Sequence, residues 1–261
     1  EVNALTDLYR NEKNTFAYIT GLENDEKYKL PAVAAINSVI QNVEKDASIK
    51  AYEEKVIATN LLTSTPQAGK VTRTSRNALL GSTELTLSNG VTVTLKSTDF
   101  KNDQILFSTT RYGGLTAYTV EDKYSAENAT TVVGSMGFGS FSPTDMRKAM
   151  AGKSIAVNPV IGPYTAGFSG SSSKKDLENF FQLFHLSVTE PRRDSALYKS
   201  FLQRSKAQVA MLSANPQIAF IDTLYQVLYE NNPLAPTAVP RAANYDKINL
   251  DRALEIYKEQ L

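Results

Sequence analysis

Residues 84–96 read ELTLSNGVTVTLK, in which apolar side chains alternate with polar ones on both sides of an Asn-Gly dipeptide. Such alternation has the period of a β-strand that buries one of its faces. An Asn-Gly pair between two such runs favours a tight turn, because both residues tolerate a positive φ angle. The segment therefore predicts an antiparallel hairpin.

Further strands and helices are predicted after the hairpin. The strands fall at residues 105–110, 154–160 and 164–169, and the helices at 125–136, 177–186, 194–212, 216–229 and 250–257, with one more beginning at Ser142. Strands that come first and helices that follow are typical of a layered α+β domain. We expect an antiparallel sheet with helices packed on one face.

The chain divides into three predicted parts. Residues 1–55 predict only a helix near the start, a strand at 15–20 and a helix after Leu30-Pro31, too few elements to enclose a core. We expect them to be the C-terminal remnant of a preceding domain. Residues 56–83, which include the polar stretch TSTPQAGK at 63–70, are expected to be a linker, and residues 84–261 to be the α+β domain. A start at glutamate, within predicted structure, favours a piece of a longer polypeptide.

The composition excludes several classes of function. With 28 basic and 27 acidic residues the net charge is +1, so no overall field attracts nucleic acid or an anionic membrane. No apolar run reaches the roughly 18 residues that a membrane-spanning helix requires. The chain has no cysteine and a single histidine, His185, so a zinc site would have to consist mostly of carboxylates.

The order of these elements resembles the pitrilysin–insulinase family of zinc peptidases, the inverzincins. The segments that carry the resemblance are residues 85–96, 98–103, the Gly113-Gly114 corner, residues 170–183 and residues 251–257. The resemblance implies the metallohydrolase fold of LuxS and the mitochondrial processing peptidase over residues 84–261. Members of this family are built from repeated α+β domains. The first repeat carries the motif H-x-x-E-H on a helix, where two histidines four residues apart hold zinc and the glutamate activates water.

In this chain the helix at the motif position lacks the zinc-binding residues. Thr131, Gly134 and Ser135 stand where the family has His, Glu and His, and no histidine lies nearby. The helix expected to supply a further glutamate reads FLQRSKAQV at residues 201–209, without a carboxylate. The resemblance therefore implies a repeat with no metal or cofactor of its own, and zinc in the catalytic domain of the parent polypeptide.

The implied function is that of an inactive domain of a larger zinc metalloendopeptidase. Such a domain would enclose peptide substrate together with the other domains of the parent and help to bind it. The strands that meet at Gly162-Pro163 are the predicted substrate wall. The resemblance also implies a location in the bacterial cell envelope or periplasm.

Two other functions stay open on the sequence. One is a free-standing scaffold or interaction module of a protease complex. The other is a serine hydrolase, because Ser169 lies in the run GFSGS at residues 167–171 and His185 would be its base. That run departs from the nucleophile motif G-x-S-x-G at its last position. His185 lies in an apolar helix, where a histidine of the core or its boundary is the commoner case.

Overall fold

The computed structural model describes residues 16, 18–21, 30–50, 53, 60–212 and 215–261. The chain forms two compact units, Glu1–Lys55 and Val56–Leu261. In the first unit, helix α1 spans Val33–Lys45. The helix predicted near the start lies outside the described residues, and the described part of the predicted strand, residues 16 and 18–20, is not in a strand. That this unit ends a preceding domain stays a prediction.

The second unit begins with a three-stranded antiparallel sheet in the order β1-β2-β3. Its strands are β1 (Val71–Asn77), β2 (Ser82–Leu87) and β3 (Thr92–Leu95). Strand β1 lies in the segment expected to be a linker, and it pairs with β2 as far as Asn77. The polar sequence of β1, VTRTSRN, lacks the apolar alternation that reveals a strand, so its pairing with β2 creates it.

The predicted hairpin at residues 84–96 forms, but its loop has three residues and not two. The backbone N–H of Leu87 donates to the carbonyl of Val91 at 2.8 Å, so residues 88–90 form the loop. Within this loop only Gly90 has a positive φ, of 86°. A three-residue loop with glycine in the left-handed region is the next common hairpin connection after the two-residue turns.

A second antiparallel sheet follows, with strand β7 at its centre. Its strands are β4 (Ile105–Ser108), β5 (Arg111–Tyr112), β6 (Ile155–Ile161) and β7 (Thr165–Ser172). Strands β4 and β5 lie end to end along one edge of β7, and β6 pairs along the other edge.

Besides a short 3-10 helix at Leu115–Ala117, seven α-helices are described in the second unit: α2 (Lys123–Met136), α3 (Pro143–Ala149), α4 (Leu177–Thr189), α5 (Ser195–Leu212), α6 (Pro216–Leu228), α7 (Ala242–Tyr245) and α8 (Leu250–Gln260). The main core joins α2, α5 and α8. Helices α3 and α8 begin with side-chain N-caps: the side chain of Ser142 accepts the N–H of Asp145, and that of Asn249 accepts the N–H of Arg252. Both caps satisfy backbone donors that a helix start leaves unpaired.

Helix α4 packs on one face of the second sheet through a cluster of aromatic rings. The Phe107 ring lies 5.1 Å from that of Phe180 and 4.9 Å from that of Phe184, and the Phe168 and Phe184 centroids are 5.0 Å apart. A Cβ on Gly170 would lie 2.9 Å from the Phe180 ring, so glycine lets the helix approach the strand. The prediction of an α+β fold with helices on one face of an antiparallel sheet is confirmed.

Among the described residues, no helix has both the length and the apolarity needed to cross a membrane.

Candidate functional site

Helix α2 has a fully buried side and an open side. Val132, Val133 and Met136 are completely buried in the core that α2 shares with α8. Thr131 and Gly134 lie on the exposed side, and Ser135 is half-buried. Two of the three predicted motif positions, Thr131 and Gly134, therefore face away from the core.

The groups at these three positions do not fit a zinc ion. Residues 131 and 135 share one helix face because they are four apart, but both present hydroxyl groups. The Ser135 hydroxyl donates to the carbonyl of Val132 at 2.7 Å. Gly134 has no side chain, and a Cβ built there meets nothing within 4 Å. Zinc in proteins is held by imidazole, thiolate or carboxylate, none of which occurs here.

The helix that was expected to supply a further glutamate is also built for packing. Within residues 201–209 of α5, Phe201 and Val209 are buried, and the Phe201 ring contacts that of Tyr245 at 6.3 Å between centroids. Lys206 makes an ion pair with Asp246. Across the part of the chain that the structure describes, no three His, Cys, Asp or Glu side chains come close enough together to hold a metal ion.

The proposed serine–histidine pair is not assembled. Ser169 lies within β7, opposite Ser108 on one neighbouring strand and Asn158 on the other. A nucleophile elbow needs a sharp turn between a strand and a helix, which a residue inside a ladder does not provide. Phe168 packs on α4, the helix that carries His185, so the side chain of Ser169 points to the opposite face of the sheet. The serine-hydrolase hypothesis is wrong for this reason.

The second sheet has an exposed face opposite α4. Its side chains are small and polar at the centre, where Asn158 and Ser169 are exposed. Leu106, with 76% of its surface accessible, and Val160, with 48%, flank that centre. A shallow surface of this kind suits contact with an extended chain.

Strand β6 has an unpaired edge, and the register of β6 with β7 decides which backbone groups point outward from that edge. The N–H of Gly162 donates to the carbonyl of Thr165 at 2.8 Å, and that of Ser173 to the carbonyl of Ser154 at 3.1 Å. Even-numbered residues of β6 therefore pair with β7, and odd-numbered ones direct their backbone groups outward. No described strand pairs on that side. Outward N–H groups are available at Ile155 and Val157, whereas Pro159 has none.

The strands that meet at Gly162-Pro163 were predicted from the sequence, but the free edge of β6 was not. Pro159 was the available signal, because a proline inside a strand indicates an edge position.

An ionic contact between the start of α2 and helix α8 was also not predicted from the sequence. Arg252 donates to both carboxylate oxygens of Asp122, at 3.0 and 2.9 Å, and this hydrogen bonding holds the pKa of that carboxyl below its usual value.

Two curated proteins share sequence with this chain. A zinc protease PQQL-like protein of Arabidopsis thaliana is 30% identical over 169 residues, which cover 65% of this chain and 17% of the relative. A probable zinc protease PqqL of Haemophilus influenzae is 27% identical over 166 residues, covering 58% of this chain and 18% of the relative. The chain thus spans less than a fifth of the length of these relatives. No protein-family profile matches it.

Solved structures that share the fold include those of three proteases. The periplasmic protease PqqL of Escherichia coli superposes on 88% of this chain with a TM-score of 0.64 and 17% identity, over 25% of its own length. The ferredoxin protease FusC, solved with Arabidopsis ferredoxin, covers 89% with a TM-score of 0.62 and 20% identity, over 26% of its length. Pitrilysin covers 76% with a TM-score of 0.51 and 13% identity, over 21% of its length. The sequence similarity to zinc proteases and the shared fold together support a zinc peptidase-like domain of the pitrilysin/insulinase family.

Proposed function

We propose that this chain is a non-catalytic domain of a larger zinc peptidase, and that it encloses peptide substrate without cleaving it. The observation that carries the proposal is the chemistry of α2 at the predicted motif positions, where Thr131 and Gly134 are exposed, Ser135 is half-buried and none of the three is a zinc ligand. Zinc peptidases need the metal because it lowers the pKa of bound water from about 15.7 to about 7. The hydroxyl groups of Thr131 and Ser135 are not zinc ligands of the usual kind, and Gly134 has no side chain that could act as a general base.

The lengths of the relatives support a role within a longer polypeptide. Each relative matched in sequence is more than five times as long as its matched segment, since that segment covers 17% or 18% of it. In this proposal the remaining domains of the parent provide the zinc site and the rest of the chamber. FusC is named a ferredoxin protease, which supports a protein or peptide as the substrate class.

The proposed contact with substrate is the free edge of β6 together with the exposed face of its sheet. An extended peptide gains affinity by adding as a strand to a free edge, and alternate side chains supply the specificity. The N–H and carbonyl groups of Ile155 and Val157 are available for such pairing, and Pro159 ends it.

The proposed location is the bacterial cell envelope or periplasm. Its support is the periplasmic protease PqqL of Escherichia coli, which shares the fold. The Arabidopsis relative indicates that proteins of this kind also occur in a plant.

The test compares zinc content and peptidase activity of the chain with those of a variant that restores the motif, T131H/G134E/S135H. The unsubstituted 261-residue chain is expected to keep no stoichiometric zinc after dialysis and to leave unstructured peptides intact. The variant places two imidazoles four residues apart on an exposed helix face, so we expect measurable zinc binding. Elemental analysis and titration calorimetry measure the metal, and mass spectrometry measures cleavage.

If the unsubstituted chain binds stoichiometric zinc and cleaves peptides, the proposal is overturned. A triple variant that gains no zinc affinity would contradict the placement of the motif at positions 131, 134 and 135. Both proteins should have the same circular dichroism spectrum, because Thr131 and Gly134 are exposed and none of the three positions is fully buried.

A further inference from the structure

An open cleft lies between the start of α2, helix α6 and the segment that follows α6. Its volume is about 760 Å³. The residues that give it chemical character are Lys123, Tyr124, Tyr225, Tyr229, Arg241 and Lys247. The cleft is separate from the β6 edge and from the motif positions on α2, and neither the family resemblance nor the relatives assign it a role.

Hydrogen bonds from side chains connect the walls of the cleft. The ammonium group of Lys123 donates to the carbonyls of Pro233 and Ala235, at 3.0 and 2.6 Å. The carboxylate of Glu127 accepts the N–H and the hydroxyl of Thr237, at 3.1 and 2.6 Å. These bonds hold residues 233–237 against α2, so the cleft is formed before any ligand binds.

Positive charge in the cleft is incompletely balanced. Three basic side chains line it against two acidic ones. Arg241 pairs with Asp222, and the Glu121 carboxylate accepts the hydroxyl of Thr119 at 2.6 Å. Within the described part of the chain, neither Lys123 nor Lys247 makes an ion pair with a carboxylate. Asp122, next to Lys123 in sequence, is held by Arg252.

The two lysines without an ion pair both lie near the ring of Tyr124. The Nζ atoms of Lys123 and Lys247 lie 5.4 and 5.3 Å from the centroid of Tyr124. The ring stabilises each cation, but the two ammonium groups repel each other. A carboxylate that enters the cleft beside the ring would be attracted by both groups, and Lys247 is exposed and can turn toward it.

The rest of the lining suits a peptide better than a small inorganic anion. The Tyr225 and Tyr229 rings line the cleft with their centroids 5.8 Å apart, and four amide side chains, those of Gln226, Asn231, Asn232 and Asn244, line it as well. Phenol and amide groups hydrogen-bond to peptide backbone and stack on its side chains. A single phosphate or chloride ion would fill only a small part of this volume.

We infer that this cleft binds an acidic segment of a polypeptide, with a carboxylate of that segment between Lys123 and Lys247. The inference rests on the proposed function in that the segment belongs to a substrate of the parent peptidase. The binding itself needs neither zinc nor cleavage. It can therefore fail while the assignment of a non-catalytic domain holds, and the reverse is also true.

The test measures fluorescence anisotropy of a labelled peptide of alternating glutamate and serine, titrated with the full 261-residue chain. A peptide of alternating glutamine and serine has the same shape without the charge. We expect the acidic peptide to bind about tenfold or more tightly than the neutral one, and its affinity to fall as salt is added.

The variants K247Q and K247E remove and reverse the charge that faces the cleft, and K258Q removes an exposed lysine charge from α8. We expect K247Q to weaken binding about tenfold, K247E to abolish it, and K258Q to leave it unchanged. Equal affinity for the two peptides, or K247Q that binds as the parent does, would overturn the inference. Full displacement of the peptide by equimolar inorganic phosphate would also overturn it, because the site would then recognise a simple anion.

Discussion

At the scale of single residues, two glycines three positions apart on α2 have opposite requirements. Gly134 lies on the open side of the helix, where a Cβ meets nothing within 4 Å. Gly137 ends the helix with a φ of 88°, and a Cβ there would lie 2.2 Å from the carbonyl oxygen of Phe141. The first glycine occupies a position that does not need it, whereas the second allows the chain to turn toward α3.

These environments predict opposite effects of the same substitution. Gly134→Ala should raise the free energy of unfolding by roughly 0.5–1 kcal/mol, because alanine loses less backbone entropy in a helix. Gly137→Ala should lower it by about 2 kcal/mol or more, because of the positive φ and the contact with Phe141. Urea unfolding followed by circular dichroism measures both changes, and a loss of stability in Gly134→Ala would contradict the open environment described for it.

At the scale of elements, a single carboxylate joins β6, β7 and α4. Asp176 precedes α4 and accepts the N–H of Ser154, just before β6, at 2.9 Å. It also accepts the hydroxyl of Ser173, just after β7, at 2.8 Å. These hydrogen bonds hold the pKa of the Asp176 carboxyl below its usual value. Residues 170–172 complete β7, and Ser173 follows directly after the strand.

The lowered pKa predicts how stability depends on pH. Ionised Asp176 stabilises the fold at pH values above the ordinary aspartate pKa of about 4, and this contribution is lost as pH falls through the lower pKa of the folded state. Asp176→Asn should therefore have a lower Tm than the parent at pH 7 and a smaller loss of Tm between neutral and acidic pH. Differential scanning calorimetry across that range checks both, and parallel Tm curves for the two proteins would contradict the assignment.

At the scale of the whole second unit, its second sheet presents two free edges among the described residues, β6 on one side and β4 with β5 on the other. The substrate proposal uses β6. The matched substitutions are Val157→Pro, which removes an outward N–H from β6, and Val157→Ala, which keeps it. Ser108→Pro makes the corresponding change in β4, where Phe107 pairs with β7 and Ser108 directs its N–H to the free side.

Val157→Pro should weaken the binding of an extended labelled peptide of alternating valine and threonine by roughly three- to tenfold, the effect of one lost backbone hydrogen bond. Val157→Ala and Ser108→Pro should bind it as the parent does, as measured by fluorescence anisotropy. If Ser108→Pro alone weakens binding, the peptide pairs with β4 and the choice of edge is wrong.

Local patterns in the sequence determined the hairpin, the caps at Ser142 and Asn249, and the helices from α2 onward except the one-turn helix α7. Each depends on residues close together in the chain, since alternation, helical spacing and capping act over a few positions. The ligand types at 131, 134 and 135 are likewise a matter of sequence alone, because no fold adds an imidazole to threonine, glycine or serine.

The tertiary structure decided whatever depends on distant partners. Strand β1 exists because β2 pairs with a polar segment that carries no strand pattern of its own. The outward direction of the Val157 N–H depends on register with β7, and Ser169 is separated from His185 because β7 turns that side chain away from α4. The cleft beside α6 depends on the hydrogen bond from Thr237 to Glu127, which lie 110 positions apart in the sequence. Pairing, register and cleft shape are set by packing between elements, and periodicity within one element does not report them.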